Sequence, residues 1–252
     1  MSDTTAPAID DAARKAGRDA FSAYIAVAVL VAGLVQINIT LPWIGHLGSA
    51  LVAVLFLYTP VFVAWKRKEE LDDYGFHAEP IGKGIGVAAI GYAVIFPLFA
   101  LGYVGFYQLA CNSSLLAHLV PRHACSHYAG FGAMHWPKLD QKFIEFCAVQ
   151  LVVVALPEEL FFRGFLLKLL EQRFPPARRI LGGGIGKALV IQALLFAIIH
   201  IPKDGDPRAL ATFFPALMFG WMRSATGSIF ASTVTHAGSN ILIRVLELTL
   251  LR

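Results

Sequence analysis

The sequence predicts an all-α membrane protein, built as one polytopic bundle of about seven transmembrane helices, in a range of six to eight. Of its 252 residues, 57% are hydrophobic and only 15% are charged, whereas a soluble domain carries about 25% charged residues. The apolar residues form long runs between short polar segments. Because the sequence shows neither an internal repeat nor a second domain, we expect a single membrane domain.

The segments follow one another in a simple order. Residues 1–19 are polar and are predicted to form a short solvated tail. The first apolar run is longer than a signal-peptide core and lacks a clear cleavage site, so it is interpreted as an uncleaved span. The predicted spans are about 21–39, 47–65, 85–109, 143–170, 188–200, 209–223 and 229–251. The fifth and sixth are too short to cross a bilayer upright, so we expect them to bend or stop partway, with residues 202–208 lining a wet cavity.

The loop charges predict the orientation of the bundle, because lysine and arginine concentrate in cytoplasmic loops. Thirteen of these residues lie on the side of the N-terminus and six on the other side, so the N-terminus is predicted to be cytoplasmic in a multi-pass protein of the cell membrane. The same bias accounts for the net charge of +4. No nucleic-acid motif accompanies this charge, and no nucleic-acid partner is expected. The thirteen are Arg14, Lys15, Arg18, Lys66, Arg67, Lys68, Lys83, Lys168, Arg173, Arg178, Arg179, Lys187 and Arg223, and the six are Arg122, Lys138, Lys142, Lys203, Arg208 and Arg252.

The three cysteines match no zinc signature. Cys111 and Cys125 share a loop that is predicted to lie outside, where an oxidising compartment permits a disulfide. Two unpaired cysteines fit the sequence equally well, so this pairing stays open. Cys147 falls in an apolar run and is predicted to be a small packing residue. Four histidines with irregular spacing favour solvated side chains over a metal site in the same loop: His118, His123, His127 and His135.

An unusual cluster of charge interrupts the fourth predicted span, at Glu158, Glu159 and Arg163. Ionisable groups at membrane depth cost several kcal/mol unless they are paired or line a water-filled cavity. Glu159 and Arg163 are four residues apart, share a helix face and can form an ion pair. Glu158 points about 100° away and can face a cavity, where a carboxylate is able to take a proton from water. A purely structural charge cluster explains the pair but does not account for Glu158.

Two further polar groups occur in later apolar runs. His200 ends the fifth predicted span, while His236 and Asn240 lie four residues apart on the seventh and share a face. Alone, His200 would be more typical of a core residue, and the other two could simply bridge helices. Both His236 and Asn240 can also donate hydrogen bonds to a developing oxyanion. The occurrence of all three beside Glu158 favours a catalytic site.

These motifs resemble the CAAX-protease and bacteriocin-processing family of glutamate-type intramembrane proteases. The family pattern is Glu-Glu-x-x-x-Arg, then Phe-x-x-x-His, then His-x-x-x-Asn, each on a separate span. The matching segments here are Glu158-Glu159-Leu160-Phe161-Phe162-Arg163, then Phe196-Ala197-Ile198-Ile199-His200, then His236-Ala237-Gly238-Ser239-Asn240. The resemblance covers roughly residues 143–245. It implies a protease core at 143–252, preceded by N-terminal spans and an outer loop at 20–142 that match nothing specific.

The resemblance implies an endopeptidase acting on a membrane-associated protein or peptide, in C-terminal, sorting-signal or peptide-precursor processing. Glu158 is expected to activate water together with His200, while His236 and Asn240 stabilise the oxyanion. Glu159 and Arg163 are expected to fix the geometry, and Phe196 to pack beneath His200. In a prokaryotic host, a sorting signal or peptide precursor is favoured over a prenylated protein, which requires a prenyltransferase. The sequence does not indicate an oligomeric state.

No metal cofactor is favoured, because the sequence has no His-Glu-x-x-His helix. A zinc set of Glu158, His200 and His236 stays open.

Two other functions stay open as well. One is a transporter or a proton or ion pathway through the intramembrane charges, against which the halves of the chain show no repeat symmetry. The other is a catalytically inert family member that serves as an immunity or binding protein. Retention of all the motif residues argues against that role.

Overall fold

The computed structural model describes residues 5–41, 45–116, 124–128, 136–204 and 207–250. These residues are mostly helical, as an all-α prediction requires. The long N-terminal helices are α1 (Thr5–Leu34), α2 (Leu47–Arg67) and α3 (Ile81–Cys111), and α4 (Ala124–His127) is a single turn. Two small antiparallel hairpins pair β1 (Thr40–Leu41) with β2 (Gly45–His46) and β3 (Arg178–Ile180) with β4 (Gly183–Ile185).

Within the described residues, three helices are long and apolar enough to cross a bilayer by length and composition, namely α1 from Asp10 onward, α2 and α3. Large apolar side chains such as Ile25, Tyr58 and Leu98 are exposed along them, as expected for surfaces that face lipid. The chain is therefore a helical membrane protein. The predicted spans 21–39, 47–65 and 85–109 fall largely within these helices.

A continuous helix spans residues 141–173 and is called the glutamate helix below. It runs through α5 (Gln141–Val149), a π-helical segment (Gln150–Ala155), α6 (Leu156–Glu159), a second π-helical segment (Leu160–Leu166) and α7 (Leu167–Arg173). Asp140 caps its start by accepting a hydrogen bond from the backbone N–H of Phe143, which satisfies an otherwise unpaired donor. π-Helical turns are rare and frequently occur at functional sites. Here they flank the two glutamates on both sides.

The last helices are shorter. They are α8 (Lys187–Asp204), α9 (Phe213–Thr226) and α10 (Phe230–Leu250), with a 3-10 helix at Pro207–Thr212. α9 has 14 residues and is about 21 Å long, less than the roughly 30 Å of a bilayer core. The expectation that the sixth span stops short agrees with this length. In the segment 202–208, which is predicted to line the cavity, residues 205 and 206 lie outside the described residues, as do the side chains of 203–208.

The N-terminal residues differ from the predicted solvated tail, because α1 begins at Thr5 rather than near residue 21. Ala16 and Ala20 are buried, and Gly17 lies against the side chain of Arg173. These small residues lie on one face of α1, which packs against α7. Arg14 forms an exposed ion pair with Asp10. Small side chains allow close helix packing whether or not the opposite face is polar.

The directions of the helices define two ends of the bundle. α10 runs parallel to α3, since Gly84 lies against Phe230 and Gly238 against Tyr92. It runs antiparallel to the glutamate helix, since Gln150 contacts Asn240 further along α10 than the glutamates contact His236. The end that carries β3 and β4 is called the hairpin end. The opposite end carries a disulfide and is called the disulfide end.

Polar contacts close the hairpin end. Tyr74, fully buried, donates a hydrogen bond of 2.6 Å to Glu69, which also accepts one of 3.2 Å from Lys168. Burial by itself would raise the pKa of Glu69, but these two hydrogen bonds and the positive charges of Lys168 and Arg67 together outweigh it and hold the pKa below its usual 4.5. The segment after α2 is also tied to α10, because Ile229 N–H donates to the Gly75 carbonyl and Ser228 to the His77 carbonyl.

The disulfide end carries the bond between Cys111 and Cys125, whose Cα atoms are 5.2 Å apart. The structure thus decides a pairing that the sequence left open. Cys147 is a free, half-buried thiol in α5. His127 lies in α4, and the other three loop histidines lie outside the described residues.

Candidate active site

Glu158 and Glu159 occupy α6, between the two π-helical segments, and diverge as neighbouring residues on a helix must. Glu159 turns into the core and is completely buried, and Glu158 is 5% exposed and lines a cavity. Both carboxylates therefore lie away from bulk solvent, but only Glu158 faces open space. Their different surroundings allow two different roles.

Glu159 is the centre of a buried ion pair and hydrogen bond. Arg163 Nη1 lies 2.8 Å from Glu159 Oε1, and neither side chain is exposed, which confirms the predicted pairing. His236 Nδ1 lies 2.9 Å from the same oxygen. Because an ionised carboxylate only accepts hydrogen bonds, His236 carries its proton on Nδ1 and donates it to Glu159. Its Nε2 is left to face Glu158.

Aromatic rings complete the surroundings of Arg163. Its guanidinium carbon lies 4.1 Å from the ring centre of Phe196 and 5.2 Å from that of Phe219, distances at which a cation is attracted to the face of an aromatic ring. Phe219 in turn stacks on His236, with ring centres 5.1 Å apart and planes inclined by 16°. Phe196 also contacts His236, with ring centres 5.9 Å apart, so the two rings hold the imidazole in one orientation.

His200 is oriented by its own helix. Its Nδ1 lies 2.7 Å from the carbonyl oxygen of Phe196, an acceptor, so Nδ1 must carry the proton. Phe196 also packs against the imidazole, with ring centres 4.6 Å apart, which matches its predicted packing role. As with His236, the arrangement leaves Nε2 as the atom directed at Glu158.

Three reactive atoms converge on one point. Glu158 Oε2 lies 3.9 Å from His200 Nε2 and 3.8 Å from His236 Nε2. These gaps exceed an ordinary hydrogen bond of about 2.7–3.2 Å. A water oxygen about 2.8 Å from both atoms of either pair would bridge Glu158 Oε2 to that Nε2 atom. Glu158 came from the fourth predicted span and the histidines from the fifth and seventh, so tertiary packing brings them to a common depth.

Asn240 lies one turn beyond His236 and is held by Gln150, a residue that belongs to none of the three motifs. Its side-chain N–H donates to Gln150 Oε1 at 2.9 Å, which leaves a second N–H for another acceptor. Gln150 interrupts the apolar run of the fourth span, so the same search for intramembrane polar residues could have identified it. Gln192 on α8 is another polar residue within an apolar run and outside the three motifs. It is fully buried and has no hydrogen-bond partner among the described residues.

One cavity of about 640 Å³ contains Glu158, His200, His236 and Asn240 in its lining. Glu159 and Arg163 lie behind this wall. The remaining lining is mostly apolar, and its volume falls in the range of about 300–1,000 Å³ that is typical of ligand sites. Helices α3, α9 and α10 contribute most of the other side chains, which include Phe96, Phe99, Phe214, Met218 and Ile243.

The residues present do not fit a zinc ion as they are arranged. Two ligands of a tetrahedral zinc, each about 2.1 Å from the metal, lie roughly 3.4 Å apart, less than the distances from Glu158 to the two Nε2 atoms. No group of three His, Cys, Asp or Glu residues within the described ranges is placed to hold a metal. We therefore derive no catalytic step through a metal.

A comparison with protein families found one match that covers the whole site. Residues 140–242 match the family described as "Type II CAAX prenyl endopeptidase Rce1-like", and this range contains every residue of the three motifs. The match confirms the family resemblance for this part of the chain. Comparisons with curated proteins and with solved structures found no match.

Proposed function

We propose that the protein is an intramembrane endopeptidase with a membrane-associated protein or peptide as its substrate, because residues 140–242 match the Rce1-like CAAX endopeptidase family. The observation that carries the proposal is the convergence of Glu158 Oε2 with the Nε2 atoms of His200 and His236 at the wall of an apolar cavity. A peptide bond placed in this cavity would lie beside a water molecule that donates one hydrogen bond to Glu158 and one to an imidazole Nε2 atom.

The first chemical step is attack by this water. Glu158 takes one proton from the water as its oxygen bonds to the carbonyl carbon, and the carbonyl oxygen becomes an oxyanion. The free N–H of Asn240 donates to that oxyanion. His236 donates there as well only when its Nε2 is protonated, because its Nδ1 proton is already given to Glu159. The C–N bond then breaks, and the proton on Glu158 passes to the leaving nitrogen, with His200 as its relay.

The roles of the buried groups follow from the same contacts. Glu159 holds His236 in a single tautomer and balances positive charge on its ring. Arg163 neutralises Glu159 where no solvent reaches either side chain. These are positioning residues, since both lie behind the cavity wall.

We also propose seven spans, in the cell membrane, with the N-terminus in the cytoplasm. The glutamate helix, α8, α9 and α10 supply the four spans after α3, of which α8 and α9 are the short ones. Lysines and arginines are concentrated at the hairpin end, while the described residues of the disulfide end include five of them, at positions Lys138, Lys142, Lys203, Arg208 and Arg244. The hairpin end is therefore the cytoplasmic one.

The decisive experiment compares protein termini in membranes of cells that carry wild-type protein or Glu158→Gln. We expect a set of termini that depends on Glu158, because glutamine keeps the shape of the side chain and cannot accept the proton. Glu145→Gln is the matched control, since Glu145 lies exposed on the same helix and outside the site. Both variants should insert into the membrane and unfold at the wild-type temperature.

Two outcomes would count against the proposal. If Glu158→Gln produced the wild-type termini, the glutamate mechanism would be wrong. If wild-type cells showed no dependent termini, with the protein abundant and folded, a transport or binding role would be favoured, since neither cuts its ligand.

A further inference from the structure

The catalytic cavity extends from Glu158 toward one end of the bundle only. On the glutamate helix its lining continues to Val154, and on α10 it continues from His236 to Ile243. These helices are antiparallel, so both directions lead to the disulfide end. The segments that α3 and α9 contribute lie on the same side of Glu158.

The opposite direction is blocked by packing. The glutamate helix from Leu160 to Leu167 is at most 1% exposed, and Leu169 and Leu170 are fully buried. Tyr74 and its partners cover the hairpin end beyond them. A substrate that approached from this end would have to displace the densest part of the core.

Two further pockets follow the catalytic cavity outward beside the glutamate helix and α10, and the three together are called the groove. The first of them, of about 450 Å³, shares the lining residues Asn240 and Ile243 with the catalytic cavity. The outermost pocket, of about 500 Å³, shares Phe146 and Arg244 with that 450 Å³ pocket. The outermost pocket is lined by residues that include Trp136, Lys138, Lys142 and Leu248. The shared residues place the three pockets in series from the reactive atoms to the rim of the bundle.

The disulfide end has two independent marks of the extracytoplasmic side. Disulfides form and persist in oxidising compartments and are rare in the cytoplasm, and Cys111–Cys125 lies at this end. The charge distribution gives the same answer, because the basic residues of the described chain concentrate at the hairpin end. The two marks depend on different residues.

We propose that the active site opens to the extracytoplasmic side, and that the substrate is an extended peptide segment exposed on that side. This rests on the proposed peptidase function. From His236 to Arg244 the groove follows eight residues of α10, about 12 Å at 1.5 Å per residue. A single extended strand reaches that depth, whereas a folded domain does not. The substrates are therefore exported proteins or peptides, cut in a segment next to the membrane.

Single cysteines report access in a Cys147→Ala background that keeps the disulfide. Ser239→Cys places a thiol in the cavity and Leu248→Cys places one at the groove mouth. Gln172→Cys is the matched control, exposed near the hairpin end. The probe is a membrane-impermeant maleimide, applied to intact cells and then to permeabilised cells.

We expect the two groove thiols to react in intact cells and the Gln172→Cys thiol to react only after permeabilisation. The reverse pattern would overturn the proposal. It would also be overturned if the groove thiols failed to react in permeabilised cells, since the groove would then not be open to water.

The labelling readout needs no cleavage, so it separates this proposal from the proposed function. Termini that depend on Glu158 should map to extracytoplasmic segments, and termini in cytoplasmic segments would contradict the proposed side. If the groove thiols react from outside but the cells show no termini that depend on Glu158, the peptidase function and the substrate assignment are overturned. The assignment of the side from which the cavity is accessible would then still stand.

Discussion

The Arg163→Ala variant removes the cation from a carboxylate that has no access to solvent. Arg163 Nη1 lies 2.8 Å from Glu159, and both side chains are fully buried. The variant also removes a cation from the faces of Phe196 and Phe219. What remains is a buried negative charge whose only described hydrogen bond comes from His236.

The size of the effect follows from the burial of the pair. Removing one partner of a buried ion pair destabilises a protein by about 3–5 kcal/mol. For a chain of this length, 1 kcal/mol corresponds to a shift of roughly 2–4 °C in the unfolding midpoint. We therefore expect Arg163→Ala to unfold roughly 6–20 °C below the wild type, with less protein in the membrane and little activity.

The assay is thermal unfolding of the purified protein in detergent, with expression measured in membranes. Arg14→Ala is the matched control, because Arg14 pairs with Asp10 at 2.6 Å across the same four-residue spacing but on an exposed helix face. We expect no measurable shift from this change, as exposed pairs contribute little. The double variant Glu159→Gln/Arg163→Ala should recover part of the lost stability, since it removes the uncompensated charge.

Two results would refute the reasoning. One is an Arg163→Ala midpoint that equals that of Arg14→Ala, together with normal activity. The other is a double variant that is less stable than Arg163→Ala, which would show that lost packing, rather than the buried carboxylate, sets the cost.

Three further predictions concern other contacts. Gln150→Leu should lower the cleavage rate by about 100-fold without reducing expression, because Asn240 loses the hydrogen-bond acceptor that orients its side chain. A rate within twofold of wild type in a peptide-cleavage assay would contradict this. Cys111→Ser should destabilise the protein by about 3 kcal/mol, because the bond to Cys125 closes a loop of about 15 residues. In the wild type, mass spectrometry of alkylated, unreduced protein should find neither Cys111 nor Cys125 alkylated. Glu69 has a lowered pKa, so its stabilising contribution is present above pH 4.5 and is lost as the pH falls through the lower, folded-state pKa. The Glu69→Gln variant should therefore lose less stability than the wild type below pH 4.5. Equal profiles of unfolding stability against pH in the two proteins would contradict this role.

The motif residues could be found from the sequence because membrane depth makes polar groups costly, so that those retained stand out against apolar runs. The pairing of Glu159 with Arg163 followed from their spacing on one helix. The catalytic roles of Glu158, His200, His236 and Asn240 stay a proposal. Gln150 and Gln192 met the same criterion but belong to no motif with a fixed spacing, and their surroundings emerge only from the packing of other helices around them.

Other features depended on contacts between distant segments. The start of α1 at Thr5 could not be located from polarity, because Ala16 and Ala20 become buried only when α7 packs against them. The disulfide was equally open, since Cys111 and Cys125 meet through the path of a loop that their spacing does not determine. The tautomer of His236 likewise required a carboxylate from another helix.

By itself the sequence determined that this is a helical membrane protein, and it indicated which polar residues form its candidate site, because hydrophobic runs and helix periodicity are local properties of the chain. Only the tertiary structure decided that Glu158, His200 and His236 meet at one depth, that Glu159 turns from the cavity into the core and binds His236 from behind, and that the cavity opens toward the disulfide end. Those facts depend on the relative directions and depths of antiparallel helices. Packing between segments far apart in sequence sets them, as between Glu159 and His236, which are 77 residues apart, and no local pattern encodes that packing.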